Sequence, residues 1–409
     1  MSKLDSGRID SLDSLRGLAA LIVLFHHCYY MLDSSKAGWL SIVRLSPLRL
    51  FVAGHAAVIL FFLLSGFVLA LPYTSKQPDA FGFIIRRTCR IYIPFASAVL
   101  LSIALVALIP HVHSIPGAAE WLNPPRLDQL TLSLIAGHLL MLGRFQDITL
   151  DPPIWSLVHE FRISLIFPLL LWYCRRWPAG TLLATLALAA IAAVGLLATG
   201  DADQGVVTAS NTAGGSFLVT LRYLPLFAIG AYMAMEARIS EFSRGTSLAL
   251  KSSFVLAGVI LLSGPSVPAW SDILLAVGAV LLILAFMSGW QPIFLRAGAS
   301  RWLGRVSFSL YLVHVPVITA ACFLLGGIIP LGAAILVGAI SSLLTAQLAY
   351  ASVELNAHRL GKYLQGAMAT PGNNQVTTTS HHEVPQISTA VFEEGDAAEL
   401  QEKSLMQNW

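Results

Sequence analysis

Charge is scarce in this chain: Lys, Arg, Asp and Glu together make up 11% of 409 residues. A soluble domain carries about 25%, and a water-exposed surface of this size could not be covered with so little. Soluble enzymes and nucleic-acid-binding proteins are thereby excluded, and no nucleic-acid partner is expected. Cysteine is scarce too. Cys28, Cys89, Cys174 and Cys322 lie far apart with no CxxC spacing, which excludes a disulfide framework or a zinc site. They read as buried thiols or thiols at a cytoplasmic edge. His381 and His382 stand in a polar stretch with no further ligands nearby, so no metal is expected. The internal repeats that mark many secondary transporters are missing as well. What the chain does have is apolar sequence, 56% of all residues, with a mean hydropathy of +0.73, arranged in long blocks.

At about 20 residues per crossing, the blocks predict an all-α, polytopic transmembrane bundle. Ten spans are expected, at 16–33, 55–72, 91–110, 155–174, 181–199, 217–236, 252–266, 271–288, 306–326 and 331–352. The first follows Arg8 and Arg16 like a signal sequence, but it lacks a small-x-small cleavage site and reads as an uncleaved span. A shorter stretch, 130–143, suits a re-entrant or interfacial segment. With that stretch not crossing and the N-terminus inside, 17 of the 25 Lys and Arg fall on the cytoplasmic side, as the positive-inside rule requires. Both termini are then cytoplasmic. Residues 366–409 turn rich in Thr, Ser, Asn, Gln and Glu and are expected to form a disordered polar tail, leaving 1–365 as the membrane domain.

Ionisable groups inside spans are expensive and so point to function. At about 100° per residue, Arg16 and His27 return to within ~20° of one helix face, roughly 16 Å apart along the axis. His26 falls ~80° to the other side of Arg16 and is expected to meet a packing helix or lipid. The alternatives are a packed neutral histidine at 27 and, for Arg16, a snorkelling anchor with Asp13 one turn earlier. In the fourth span Ser156, Glu160 and Ser164 recur at i, i+4, i+8, a polar stripe on one face. Glu160 and His27 enter from opposite directions to a similar depth, which suits a carboxylate orienting a general-base imidazole. A structural pair of Glu160 with Arg162 or Arg222 is the alternative. Ser307, Tyr311 and His314, followed by Pro316, make a second stripe, for a cavity wall or for helix–helix hydrogen bonds. Ser65 and Gly66 permit close helix approach. Arg86, Arg87 and Arg90 form a basic cluster before the third span, suited to a topology anchor or to a polyphosphate.

In combination these stretches resemble a known family. Asp10-Ser-Leu-Asp13-Ser-Leu-Arg16-Gly17, entering a span that ends in Phe25-His26-His27, resembles the opening of the membrane acyltransferase 3 family. Its Arg-x10-His pattern lands on Arg16 and His27. Phe61-Phe-Leu-Leu-Ser65-Gly66-Phe67, Arg86-Arg87-x-x-Arg90, Trp155-Ser-Leu-x-x-Glu160 and Ser307-x-x-x-Tyr311-x-x-His314-x-Pro316 resemble further motifs, in order across residues 8–352. Two features depart from the pattern: Pro94 lies further from Arg90 than expected, and no extracytoplasmic esterase-like domain is appended.

The resemblance implies an O-acyltransferase of the bacterial inner membrane, with no bound cofactor and acetyl-CoA or another acyl-CoA as co-substrate. The acceptor would be a hydroxyl of a glycan, a lipid-linked saccharide or a small natural product. On that reading His27 is the base and Glu160 its orienting carboxylate, with a covalent acyl-histidine as the alternative. Arg16, Arg86, Arg87 and Arg90 would meet the acyl-CoA phosphates. Asp13, Ser65, Trp155, Ser156, Tyr311 and His314 would line the cavity. A transporter or exporter of small molecules or glycans is the rival class, since intramembrane His, Arg and Glu suit it too.

Overall fold

Apolar runs build the helices, and short polar residues with a free side-chain acceptor start many of them. Asp79 accepts from the Gly82 amide, Thr131 from Leu134, Thr212 from Gly215 and Ser247 from Leu250, each satisfying an amide that the first helical turn leaves orphaned. The computed structural model describes residues 9–32, 39–74, 79–109, 115, 117–119, 122, 130–200, 209–264 and 271–368. Among these residues the only β pairing is a set of isolated bridges.

The helices are α1 (Asp10–Tyr30), α2 (Trp39–Leu45), α3 (Gly54–Ala70), α4 (Ala80–Leu108) and α5 (Leu132–Leu139). They continue as α6 (Trp155–Arg176), α7 (Pro178–Ala198), α8 (Ala213–Met235), α9 (Ala237–Gly245) and α10 (Leu248–Ser263). The last are α11 (Ser271–Phe286), α12 (Ile293–Arg296), α13 (Gly298–Leu325), α14 (Leu331–Ala349) and α15 (Leu355–Met368). A π-helical turn, Tyr350–Glu354, joins α14 to α15.

Among the described residues seven helices are long and apolar enough to cross a membrane, eight if the bent pair α9–α10 counts as one. Each of the seven overlaps an expected span. The other three expected crossings differ for separate reasons. In α1, Asp10, Asp13, Arg16 and two histidines dilute the apolar run, although its 21 residues reach about 32 Å. The helix α10 meets α9 at a 110° bend. Helices α10 and α11 have 16 residues each, or about 24 Å, short of the ~30 Å hydrocarbon core. With eight residues, or about 12 Å, α5 is too short to cross. The helix α15 runs to Met368, three residues beyond the expected start of the tail; residues 369–409 lie outside the described residues.

Two glycine crossings position the site. A Cβ at Gly17 on α1 would overlap the Gly304 backbone nitrogen on α13, so the two helices touch backbone to backbone there. Ten residues further along each, His27 meets His314, so α1 and α13 run parallel. A Cβ at Gly66 would overlap the Phe227 carbonyl, and one at Gly230 the Leu63 carbonyl, which makes α3 and α8 an antiparallel pair. Around that pair Phe62, Phe67, Phe95, Phe167, Tyr223 and Phe227 are fully buried. On α7, by contrast, Leu183, Ile191, Val194 and Leu197 are each more than 60% exposed, a face that suits hydrocarbon. With the family assignment below, these helices make the chain a multi-pass membrane protein.

Candidate active site

His27 sits in the last turn of α1, where its Nδ1 lies 2.9 Å from the Val23 carbonyl oxygen one turn back. The same Nδ1 is 3.1 Å from Nε2 of His314, and His314 in turn places its Nδ1 3.0 Å from the Leu310 carbonyl oxygen. A carbonyl oxygen only accepts. Both Nδ1 atoms therefore carry the proton when the rings are neutral, and Nε2 of His314 accepts from His27. The consequence falls on His27: its Nε2 carries the lone pair, which is the form a general base needs.

His27 lines a cavity of about 480 Å³, within the range of small-ligand sites. Trp155 and Tyr311 line it as expected, joined by Tyr29 and Tyr30. Tyr311 donates to the Pro153 carbonyl at 2.6 Å and shares a 2.7 Å hydrogen bond with Ser156, so Ser156 acts by fixing that ring. His26 departs from expectation. It lines the same cavity, with Nδ1 2.6 Å from the Val52 carbonyl oxygen and 3.2 Å from the Gly54 amide nitrogen. It ties the end of α1 to the turn that starts α3, because the chain folds back over the end of α1 at that point.

Sequence reasoning missed a polar trio beside this cavity. His55, a lining residue in the first turn of α3, bonds through Nε2 to Asp272 Oδ1 at 2.7 Å, and Arg222 reaches Asp272 Oδ2 at 2.8 Å. His55 also stacks on Trp155 with centroids 6.4 Å apart. The three residues are far apart in sequence; the only available signal was a polar residue near the end of each apolar block.

At the Arg16 end of α1 the arrangement corrects the expected role of Glu160. Its Oε1 accepts from Arg87 Nη2 at 3.0 Å and from Ser65 Oγ at 3.1 Å, and Arg87 also donates to Ser164 at 3.3 Å. The imidazole that Glu160 was expected to orient is held by His314 instead. The physical reason is that Arg87 is a buried guanidinium, and a buried charge demands a paired partner more strongly than a neutral imidazole does. Arg87 is correspondingly occupied by protein groups. Arg86 points elsewhere on α4, donating to the Tyr73 hydroxyl at 3.1 Å. Ser65 serves Glu160, while Gly66 serves the helix crossing.

Arg16 and Arg90 are different. Neither makes a hydrogen bond or ion pair among the described residues, yet each lies within electrostatic reach of the other, and Arg90 also of Asp13, Glu160 and Glu354. Pro94, one turn beyond Arg90 in α4, cannot donate to the Arg90 carbonyl, which leaves another polar group at this level. Arg162 belongs to the scaffold: it donates to Ser216, Thr220 and the carbonyls of Met141 and Leu142, stapling the loop after α5 to α8. No group of His, Cys, Asp or Glu suited to a metal occurs among the described residues.

The acyltransferase domain model matches residues 9–351. The chain belongs to the acyltransferase 3 family. It is 28% identical over 340 residues to "Acyltransferase MdmB" of Streptomyces mycarofaciens, covering 78% of this chain and 81% of that protein. It is also 28% identical over 211 residues to "Protein 2 in picA locus" of Rhizobium radiobacter, covering 48% of this chain and 97% of that protein. No solved structure matches significantly. This membership makes the chain an acyltransferase of the non-aminoacyl kind, and the histidine pair lies within the matched region.

Proposed function

We propose that the protein moves an acyl group, acetyl in the simplest case, from cytoplasmic acyl-CoA to a hydroxyl of a glycan or lipid-linked saccharide. The observation that carries this reading is the His27–His314 pair, which leaves a basic Nε2 on a residue lining a cavity of about 480 Å³. His27 takes the proton from the acceptor hydroxyl as its oxygen attacks the thioester carbonyl. The tetrahedral intermediate then collapses, the C–S bond breaks, and the imidazolium returns the proton to sulfur. The products are an ester and free CoA, so protons and electrons balance. Such general-base help is worth on the order of 10²–10⁴-fold in rate.

Arg16 and Arg90 have the chemistry to receive the phosphates of the donor, since guanidinium forks match phosphate oxygens. The roughly 16 Å of helix between Arg16 and His27 is a distance that a pantetheine arm covers. Aromatic and imidazole rings around the cavity suit a ring-bearing, hydroxyl-rich acceptor. The basic clusters further favour ten crossings of a bacterial inner membrane with both termini cytoplasmic.

The test is transfer of radiolabelled acetyl from acetyl-CoA into membrane saccharides by purified protein in vesicles with no ion gradient. Transfer that disappears in His27→Ala while acetyl-CoA binding remains supports the reading. Label retained on the protein at residue 27 would replace the direct route by an acyl-histidine, and gradient-driven solute movement without transfer would favour a transporter.

A further inference from the structure

Glu354 is a buried-side carboxylate that neither the mechanism above nor the sequence motifs employ. It ends the π-helical turn Tyr350–Glu354 inserted between α14 and α15. A π-turn breaks the regular helical hydrogen-bond ladder, re-aims the side chains it carries, and recurs at functional sites. Here it places Glu354 against α13, where Oε2 accepts from Ser309 Oγ at 2.6 Å, and Ser309 is 2% exposed. The cations acting on Glu354 are Arg90 and Arg16. Among the carboxylates acting on Arg90, Glu354 exerts the strongest pull, ahead of Glu160 and Asp13.

Charges of both signs meet around this point. Arg16, Arg87 and Arg90 face Asp13, Glu160 and Glu354, three of each sign. The two signs are not equally engaged. Arg87 is bonded to Glu160, whereas Glu354 closes an ion pair with neither Arg16 nor Arg90 among the described residues. Its hydrogen bond goes to a neutral hydroxyl. Two guanidinium groups that make no hydrogen bond or ion pair among the described residues therefore lie within electrostatic reach of a carboxylate that balances them from a distance. A weakly held counter-charge of this kind stabilises the empty site and opposes any anion that enters it.

We propose that Glu354 is a positioning residue that stands in for the donor's phosphate when the donor site is empty. It keeps Arg16 and Arg90 compensated in the free enzyme and weakens donor binding enough for free CoA to leave after each turnover. This rests on the reading of acyl-CoA as the donor. The anion enters between the two guanidiniums, and the carboxylate, whose hydrogen bond among the described residues is to Ser309, yields. His358, one turn on in α15, also lies within electrostatic reach of Arg90, Arg86 and Lys362.

The sign of the expected effect separates this from a structural role. Glu354→Gln keeps the side chain's shape and its bond to Ser309 but removes the opposing charge. It should tighten binding of acetyl-CoA and of CoA by about tenfold, lower KM for acetyl-CoA, and lower kcat as product release slows. Ser309→Ala keeps the charge and removes the anchor, and should not tighten binding. Calorimetry on full-length protein in detergent, with acetyl-CoA and CoA as probes, reads the affinities. Looser donor binding in Glu354→Gln, or equal tightening in Ser309→Ala, overturns the proposal. Wild-type protein that binds neither probe overturns the acyl-CoA reading and the proposal with it. Wild-type binding unaltered in Glu354→Gln overturns the proposal alone.

Discussion

Replacing His314 by Phe keeps a ring of similar size in a site that is 1% exposed but removes the acceptor for the His27 Nδ1 proton. The perturbation is selective because His27 has two partners at that nitrogen. The Val23 carbonyl at 2.9 Å remains, and the 3.1 Å contact to His314 is lost. The remaining carbonyl still favours a proton on Nδ1, so the tautomer survives while the ring loses one restraint. A hydrogen bond of this kind contributes about 0.5–1.5 kcal/mol net, which converts to roughly 2–13-fold in rate. His27→Ala removes the base itself and should cost on the order of 10²-fold or more. His314→Gln returns an acceptor and should recover part of the loss. The assay is initial-rate acetyl transfer normalised to folded protein, with acetyl-CoA binding measured on the same preparations. Should His314→Phe be as inactive as His27→Ala, His314 carries a proton in the reaction and the division of roles is wrong. Full activity would mean that the ring is held without His314.

Other expectations follow from the remaining polar groups. Glu160→Gln and Arg87→Gln each leave a buried partner uncompensated, and each should destabilise the protein by about 3–5 kcal/mol; the double variant should be less unstable than the sum, by thermal unfolding in detergent. Arg16→Gln and Arg90→Gln should raise KM for acetyl-CoA and flatten its salt dependence, whereas Arg86→Gln, whose guanidinium is engaged by Tyr73, should change it less. Asp151 is fully buried with neither carboxylate oxygen bonded, and burial pushes its carboxyl well above the usual carboxylate range. An acid held protonated in the fold but free to ionise near pH ~4 when unfolded loses stability as pH rises. Asp151→Asn should therefore gain stability over wild type progressively from pH 5 to pH 8, and an unchanged difference across that range would contradict the buried neutral acid.

The parts of this fold that were legible in the sequence are those governed by local rules. Apolar block length gave seven helices at the expected positions, and the 130–143 stretch holds a helix of eight residues. Residues that interrupt a block blurred the count, because a histidine pair or a bend at Gly245–Ser247 changes local hydropathy or direction without abolishing the helix. Face geometry placed His27 on the cavity, but it could not exclude His26. The turn Val52–Gly54 folds over the end of α1, and helix periodicity carries no information about a connecting segment. The same limit explains Glu160. Its depth in the bundle was inferable from the span, whereas its partner depended on which face of α4 turns inward, and Arg87 rather than Arg86 turned there.

The histidine pair shows what additional information was needed. Gly17 and His27 are ten residues apart, and so are Gly304 and His314. Two helices that touch at their glycines and run parallel bring residues at equal spacing to the same height, about 15 Å beyond the contact. Had α13 run antiparallel to α1, the same crossing would have put His314 and His27 on opposite sides of it, roughly 30 Å apart. The His27–His314 hydrogen bond therefore depends on helix direction, which follows from the number of crossings between residues 30 and 298. An even number of reversals between α1 and α13 is required for them to run parallel. The proposed role of His27 and the topology are therefore linked: a topology that reverses α13 relative to α1 would remove the restraint that His314 places on the His27 ring.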